Sequence, residues 1–159
     1  MRNRTVCFTG HRRIPLLQRH RIAAQLDKTV ESLIGEGYLY FGAGGALGFD
    51  TMAAETVLRM REKYPDVRLI LVLPCRDQSR RWSKKDVRIY EDIKSRADKV
   101  VYIADAYYTG CMQVRNRHLV DSSVVCVCYL TESGGGTAYT VRYAEKEKLR
   151  IINIAEKEP

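Results

Sequence analysis

The chain has 159 residues, of which 45% are hydrophobic and 29% charged, and its formal net charge is +8. This length suits one domain with a core of ordinary size, and the composition excludes a disordered or low-complexity chain. No secretory signal core or long apolar run is present, so we expect a cytoplasmic protein without membrane insertion whose positive charge attracts nucleotides, nucleic acids or other anions.

Apolar runs rich in Val, Ile and Tyr alternate with segments of helical pattern, which predicts a repeated strand–helix order. The predicted strands are Thr5–Thr9, Tyr38–Gly42, Val67–Leu73, Lys99–Ile103, Val124–Tyr129 and Arg150–Ile154. The predicted helices are Gln18–Gly35, Asp50–Lys63, Ser83–Arg96, Cys111–Asp121 and Thr137–Lys148. We therefore predict one α/β domain over residues 1–159, a Rossmann-like three-layer α/β/α fold with a mainly parallel sheet of about six strands.

The loop after the first predicted strand contains Thr9, Gly10, His11, Arg12 and Arg13. In a doubly wound fold every strand-to-helix loop lies at the carboxyl edge of the sheet, where ligands bind. Glycine lets the backbone approach a ligand, and the following side chains are cationic or become so on protonation. This loop predicts a phosphate contact, with a basic surface turn as the alternative.

Four glycines, Gly42, Gly44, Gly45 and Gly48, come between the second strand and the helix that begins near Asp50. Backbone N–H groups of such a loop and of a helix start favour a phosphate or carboxylate. The spacing misses G-x-G-x-x-G by one residue and follows the second strand, which disfavours a standard NAD dehydrogenase. Asp50 is interpreted either as a ligand contact or, more often at such a place, as the helix N-cap.

A second glycine loop, with Gly134, Gly135, Gly136 and Thr137, follows the fifth predicted strand. Two such loops at one edge of a sheet favour ligand binding more than either does alone. The fourth helix adds Arg115 and Asn116 to the predicted site. The neighbouring Arg117 and His118 project in other directions, because helical residues rotate by about 100° each.

The basic stretch between the third strand and its helix holds Trp82. It is interpreted either as a lid that stacks a base or, more often, as packing of the helix onto the sheet. The five cysteines include no C-x-x-C pair and are expected to be reduced core thiols. Because no P-loop, nucleophile elbow or zinc spacing occurs, no catalytic or metal residue is assigned.

The ordered set of motifs resembles the YpsA-like branch of the SLOG superfamily over nearly the whole chain. This resemblance implies a Rossmann-like fold and recognition of nucleotide-derived ligands such as ADP-ribose-like molecules, with biochemical activity largely undefined. Relatives of this kind commonly pair through helices, so a homodimer is also expected. The matching segments are Thr9–Arg12, Gly44–Glu55, Met112–Arg117 and Ser133–Tyr139.

The same superfamily includes the LOG phosphoribohydrolases, whose signature pairs M-x-x-R-K with P-G-G-x-G-T-x-x-E. Arg115 matches the arginine of the first motif, but Thr140 stands where the second motif has its glutamate. That carboxylate stabilises an oxocarbenium-like state, so its loss disfavours LOG-type hydrolysis. The carboxylates available as substitutes are Asp50, Glu55 and Glu132.

The leading hypothesis is a sensor or binding module for a nucleotide-derived ligand. Backbone donors come from Gly10, Gly44, Gly45 and Gly134–Gly136, and Arg12 and Arg115 clamp the phosphate. A nucleotide N-glycosidase is the first alternative. The second is single-stranded DNA binding, as in the DprA-like members of the superfamily, although the aromatic residues do not alternate with basic ones in the sequence.

Overall fold

The computed structural model describes residues 1–156, in which strands and helices alternate along the chain. The strands are β1 (Thr5–Gly10), β2 (Tyr40–Ala43), β3 (Arg68–Cys75), β4 (Lys99–Ala104), β5 (Val125–Tyr129) and β6 (Arg150–Asn153). The helices are α1 (Arg19–Gly35), α2 (Phe49–Lys63), α3 (Lys84–Arg96), α4 (Cys111–Asp121) and α5 (Gly136–Lys146). The predicted order is confirmed, and no end of an element lies more than two residues from its predicted position.

Apolar stripes, glycines and capping side chains account for the helices and for where they begin and end. Helix α1 buries Ile22, Leu26, Val30 and Leu33 along one stripe and ends at Gly35. At the start of α3 the Ser83 hydroxyl accepts a hydrogen bond from the backbone N–H of Asp86, at 3.1 Å. Within residues 1–156 no helix has the length and apolar character needed to cross a membrane.

All six strands are parallel and follow the order β4-β3-β2-β1-β5-β6. The sheet is therefore wholly parallel, where the sequence predicted a mainly parallel one. The chain runs outward from β1 to β4 and then returns to place β5 on the other side of β1. The order reverses between β1 and β5, so the loops after these strands flank the crevice in which doubly wound folds bind ligands.

Two apolar cores sandwich the sheet. Residues of α1, α2 and α3 form the larger core with Phe8, Phe41 and Phe49. Residues of α4 and α5 form the smaller core, to which Cys7, Cys126, Cys128, Leu119 and Val141 belong. All five cysteines are buried and free, so they lie in the core as predicted. These layers make a Rossmann-like α/β/α fold.

The loop between β2 and α2 packs directly on the loop after β1. Gly48 has a φ of 78°, and a Cβ added there would overlap the Arg12 carbonyl group. A Cβ on Gly10 would overlap the ring of Phe49. The backbone N–H of Phe49 donates to the His11 carbonyl oxygen at 3.2 Å. These glycines therefore allow two loops of the carboxyl edge to lie against each other.

We expect Gly48→Ala to lower the free energy of unfolding by about 2–5 kcal/mol, because the new Cβ meets both an unfavourable φ and a neighbouring carbonyl. Urea unfolding measures the loss. Gly134→Ala is the matched control, since Gly134 has open space around its Cβ position and its change should stay within about 0.5 kcal/mol. Equal effects of the two substitutions would contradict this account of loop packing.

Candidate functional site

A cavity of about 270 Å³ opens at the carboxyl end of β1. The residues that line it come from the end of β1 and the loop after it, the loop after β2, the start of α2, the first turns of α4 and the start of α5. We call it the switch-point cavity. Its lining residues are Thr9, Gly10, Arg12, Ala46, Asp50, Met112, Arg115, Asn116, Gly136 and Thr137.

Arg115 and Asp50 are both buried beside Gly44, at 5% and 6% exposure respectively. One terminal nitrogen of Arg115, Nη1, donates to the Gly44 carbonyl oxygen, and its Nε donates to Asn116 Oδ1 at 2.7 Å. Asp50 Oδ2 accepts a hydrogen bond from the backbone N–H of Ala46 at 3.2 Å. A Cβ on Gly44 would lie 2.6 Å from Arg115 Nη1 and 2.9 Å from Asp50 Oδ2. Gly44 therefore leaves the room that this pair of charges occupies.

The surroundings shift the pKa values of both charged groups. Burial raises the pKa of the Asp50 carboxyl, while the charges of Arg115 and Arg12 and the N–H groups of Ala46 and Gly44 oppose that shift. Burial also lowers the pKa of Arg115, which the Asp50 carboxylate opposes. The attraction between the two charges thus offsets part of the free-energy cost of burying them. Together they contribute little net charge to the cavity.

The interpretation of Asp50 as the helix N-cap is wrong. Helix α2 begins at Phe49, and Gly48 occupies the N-cap position with a φ of 78° and a ψ of −119°. Asp50 is therefore inside the first turn, and its carboxylate reaches the backbone of the preceding glycine loop instead of capping the helix. The positive φ of Gly48 starts the helix early enough for this inward orientation.

The first turn of α5 has no cap from a side chain. Its N-cap residue is Gly135, and no acidic residue lies in its first turn. Gly136 and Thr137 line the cavity at this helix start, where backbone N–H groups lack intrahelical acceptors and the helix dipole is positive. The structure therefore places an uncapped helix N-terminus in one wall of the switch-point cavity.

Apart from His11, the predicted site residues fall into three sets in the structure. Those that line the switch-point cavity are Thr9, Gly10, Arg12, Asp50, Arg115, Asn116, Gly136 and Thr137. Gly42, Gly44, Gly45 and Gly48 instead lie where a Cβ would crowd neighbouring side chains or backbone. Gly134 and Gly135 are exposed on the approach to α5 and do not line this cavity. Contact of any of these residues with a ligand stays a prediction.

His11 belongs to a neighbouring cavity of about 820 Å³, together with Arg13 and Glu132. Its Nε2 accepts a hydrogen bond from the backbone N–H of Thr131 at 3.0 Å, which ties the loop after β1 to the loop after β5. The ring also contacts Tyr129 edge-on, with centroids 5.7 Å apart. His11 thus holds the two loops together at the edge of the crevice.

Two lining residues, Ala46 and Met112, belong to the matching segments but are not among the predicted site residues. Ala46 contributes its backbone N–H to Asp50, which no side-chain pattern announces. Met112 Sδ lies 3.7 Å from Arg115 Nη2, at the place where two cavities meet. The helical spacing between Met112 and Arg115, one turn apart, was the available signal.

Asp50 is the one carboxylate among the residues that line the switch-point cavity. Glu132 lines the neighbouring cavity instead, and Glu55 lies between α2 and α3 beside Arg59 and Asp92. Thr140, at the position of the LOG glutamate, is buried and its hydroxyl donates to the Gly136 carbonyl oxygen at 2.9 Å. In the described part of the chain, no three His, Cys, Asp or Glu side chains come together as a metal site would require.

Arg115→Met should destabilise the fold by about 3 kcal/mol or more at neutral pH, because Asp50 is left buried without an opposing charge. In this variant the folded-state pKa of Asp50 rises further above its unfolded value, so stability is lost as pH rises and recovered as pH falls. Denaturant unfolding at neutral pH and at about pH 5 should show a smaller deficit at the lower pH.

Arg117→Met on the same helix is the matched control for that experiment. The Arg117 side chain is exposed and bonds the Tyr139 hydroxyl group. Its replacement should cost less than about 1 kcal/mol at either pH. A deficit of Arg115→Met that does not change with pH would show that the lost charge on Asp50 is not its cause.

Two curated bacterial proteins show how far the sequence similarity extends. A UPF0398 protein from Bacillus pumilus is 30% identical over 127 residues, which cover 78% of this chain and 68% of that protein. The uncharacterized SPbeta prophage-derived protein YoqJ from Bacillus subtilis is 27% identical over 142 residues, covering 81% of this chain and 83% of YoqJ.

Solved structures of DNA processing protein A (DprA) share the fold. One from Helicobacter pylori, which describes a single-stranded DNA binding mode, superposes with a TM-score of 0.67 at 18% identity and covers 92% of this chain. DprA from Streptococcus pneumoniae has a TM-score of 0.67 at 16% identity and covers 94% of this chain. The matched region spans 63% and 49% of those two DprA chains respectively.

The family model YpsA, described as the YspA SLOG family, matches residues 6–155. This range begins inside β1 and ends beyond β6, so it contains both glycine loops, Arg115 and the whole switch-point cavity. The match confirms the resemblance that the loop motifs indicated. The chain is a member of the YspA SLOG family.

Proposed function

We propose that this protein binds a nucleotide or nucleotide-derived ligand, such as an ADP-ribose-like molecule, and acts as a sensor or regulatory module. The phosphate of the ligand occupies the switch-point cavity. One observation carries the proposal: the Arg12 side chain, which has no hydrogen bond or ion pair within residues 1–156, and the uncapped start of α5 line the same cavity at the strand-order reversal. A helix N-terminus beside a free guanidinium is a favourable environment for a phosphate group.

Arg12 is the side chain best suited to contact this phosphate. It is exposed, and among the described residues its guanidinium makes no hydrogen bond or ion pair. Arg115 is already engaged by Gly44, Asn116 and the charge of Asp50. The cavity therefore carries an uncompensated positive charge on Arg12, while Arg115 positions the surrounding loops.

The backbone supplies the remaining donors. The start of α5 at Gly136 and Thr137 presents N–H groups without intrahelical acceptors. Gly10 lines the same cavity, and its lack of a side chain lets the loop after β1 pack against Phe49. Donors of this kind bind an anion without a compensating acidic group, as in other glycine loops that precede helices.

The burial and the contacts of the Asp50 carboxylate favour ligand binding over hydrolysis. A glycosidase needs a carboxylate that is free to stabilise an oxocarbenium-like sugar or to transfer a proton. Asp50 is buried against Ala46 and the charge of Arg115, and Thr140 has no carboxylate to offer. The cavity thus has the groups that hold a phosphate and lacks a solvent-accessible acid–base pair.

Arg12→Ala should weaken binding of AMP and of ribose 5-phosphate by about 10- to 150-fold, because one charge-assisted contact to phosphate is lost. Isothermal titration calorimetry measures both affinities. Arg13→Ala is the matched control, since Arg13 is exposed on the same loop but lines the neighbouring cavity. No heat from either compound with the parent protein would refute the proposal, and release of free adenine that Asp50→Asn abolishes would favour an N-glycosidase.

A second candidate function is binding of single-stranded nucleic acid. The observation that favours it is a cavity wall in which Trp82 and Tyr107 lie together with Arg80 and Arg81. Aromatic and basic side chains that share a surface stack bases and bind the backbone of a single strand. The structures of DprA lend further support, since one of them describes single-stranded DNA binding by that protein.

If single-stranded nucleic acid is the ligand, the affinity for an oligothymidylate should fall steeply with salt. The logarithm of the association constant should change with the logarithm of the salt concentration with a slope of about −0.7 per phosphate contacted. Fluorescence anisotropy at several salt concentrations measures this slope. Excess AMP should then leave the strand bound. Displacement of the strand by AMP at concentrations that saturate the switch-point cavity would instead favour the small-molecule proposal.

A further inference from the structure

A second cavity, of about 490 Å³, adjoins the switch-point cavity. Arg12 and Met112 line both, so the two spaces meet at these side chains. We call the second space the Trp82 cavity. Its lining residues are Arg12, Cys75, Asp77, Gln78, Arg80, Arg81, Trp82, Tyr107 and Met112.

We propose that the Trp82 cavity receives the base of the ligand and that this base carries an exocyclic amino group, as adenine does. The inference rests on the proposed function, because the phosphate in the switch-point cavity sets the position of the base. At about 270 Å³ the switch-point cavity is small for a complete nucleotide, since sites for drug-sized ligands span about 300–1,000 Å³. The rest of the ligand therefore extends into the adjoining space.

Trp82 provides an aromatic surface in this cavity. Its ring meets Tyr90 edge-on, with centroids 5.2 Å apart and an interplanar angle of 80°. Tyr90 is itself buried in the larger core, so this contact holds Trp82 in place beside the cavity. Tyr107 lies in the same lining and is 61% exposed. A planar base gains stacking energy from such rings, whatever its identity.

Gln78 provides an unused hydrogen-bond acceptor. Its Nε2 donates to the Gly45 carbonyl oxygen at 2.9 Å, which fixes the orientation of the amide. Its Oε1 is buried and, among the described residues, has no hydrogen-bond partner. A buried acceptor without a donor is costly. Gln78 lines the Trp82 cavity, so a rotation of its side chain toward the cavity would let an amino group on a ligand supply the missing donor.

Asp77 adds a second acceptor on the same stretch of chain. Its Oδ1 accepts a hydrogen bond from the backbone N–H of Tyr107 at 3.1 Å. The Cys75 thiol also donates to this carboxylate, and its contact lowers the pKa of Asp77. The carboxylate thus stays ionised and accepts hydrogen bonds. Two acceptors favour the donor edge of an amino-bearing base over the carbonyl edge of hypoxanthine.

Trp82 also makes the proposal directly measurable, because it is the chain's one tryptophan. AMP should quench its fluorescence along the same binding curve that calorimetry records. Ribose 5-phosphate, which lacks the base, should release heat without this quenching. Heat from AMP with an unchanged Trp82 spectrum would overturn the base site and leave the proposed function intact, whereas no heat from either compound would overturn both.

Substitution of Trp82 tests the stacking contribution. Trp82→Ala should weaken AMP about 5- to 150-fold, and Trp82→Phe should recover part of that loss. Ribose 5-phosphate should bind both variants as it binds the parent protein. An equal loss for AMP and ribose 5-phosphate would show that Trp82 acts on the loops rather than on the base, and it would overturn the inference.

The amino group is tested by comparing AMP with IMP, which carries a carbonyl oxygen in its place. IMP should bind about tenfold more weakly, and Gln78→Met should reduce that difference about fivefold or more. The ribose 5-phosphate affinity of Gln78→Met reports whether loss of the bond to Gly45 disturbs the phosphate site. Equal affinities of AMP and IMP for the parent protein would overturn the amino-group assignment. Quenching of Trp82 by inorganic pyrophosphate to the same extent as by AMP would show that the cavity holds a phosphate instead of a base.

Discussion

The buried guanidinium of Arg115 is the interaction on which the carboxyl edge of this protein depends. It joins α4 to the loop after β2 through the Gly44 carbonyl oxygen, and the Asp50 carboxylate lies beside the same glycine and compensates the charge of Arg115. A buried charge is tolerated only where opposite charge and hydrogen bonds compensate its desolvation. Both conditions are met here because Gly44 has no side chain. A substitution at Arg115, Asp50 or Gly44 is therefore expected to disturb the contacts of the other two residues.

The two glycine loops, after β2 and after β5, have different roles. The loop after β2 uses its glycines for packing, since Gly44 makes room for Arg115 and Gly48 lies against the backbone of Arg12. The loop after β5 has open space around its glycines and leads into the uncapped start of α5. The glycines of the loop after β2 thus allow close packing, while the loop after β5 leads to unpaired backbone donors beside a cavity.

The two adjoining cavities give the proposed ligand separate places for its phosphate and its base. Gln78 bonds the carbonyl group of Gly45, next to the residue that accepts from Arg115. The loop after β2 is thus held by Arg115 at Gly44 and by Gln78 at Gly45. A ligand that spans both would contact Arg12 and Met112 where the spaces meet.

The sequence by itself determined the order of the elements, the parallel sheet and the edge that carries the cavities. Apolar runs such as the one in β5 and helical stripes such as Ile22–Leu33 are local patterns, so they are readable without the fold. Only the tertiary structure decided which glycines line a cavity, that Asp50 lies inside α2, and that Gln78 and Trp82 lie beside Arg12. Those outcomes depend on contacts between residues far apart in the chain, where packing and the cost of buried charge override local propensity.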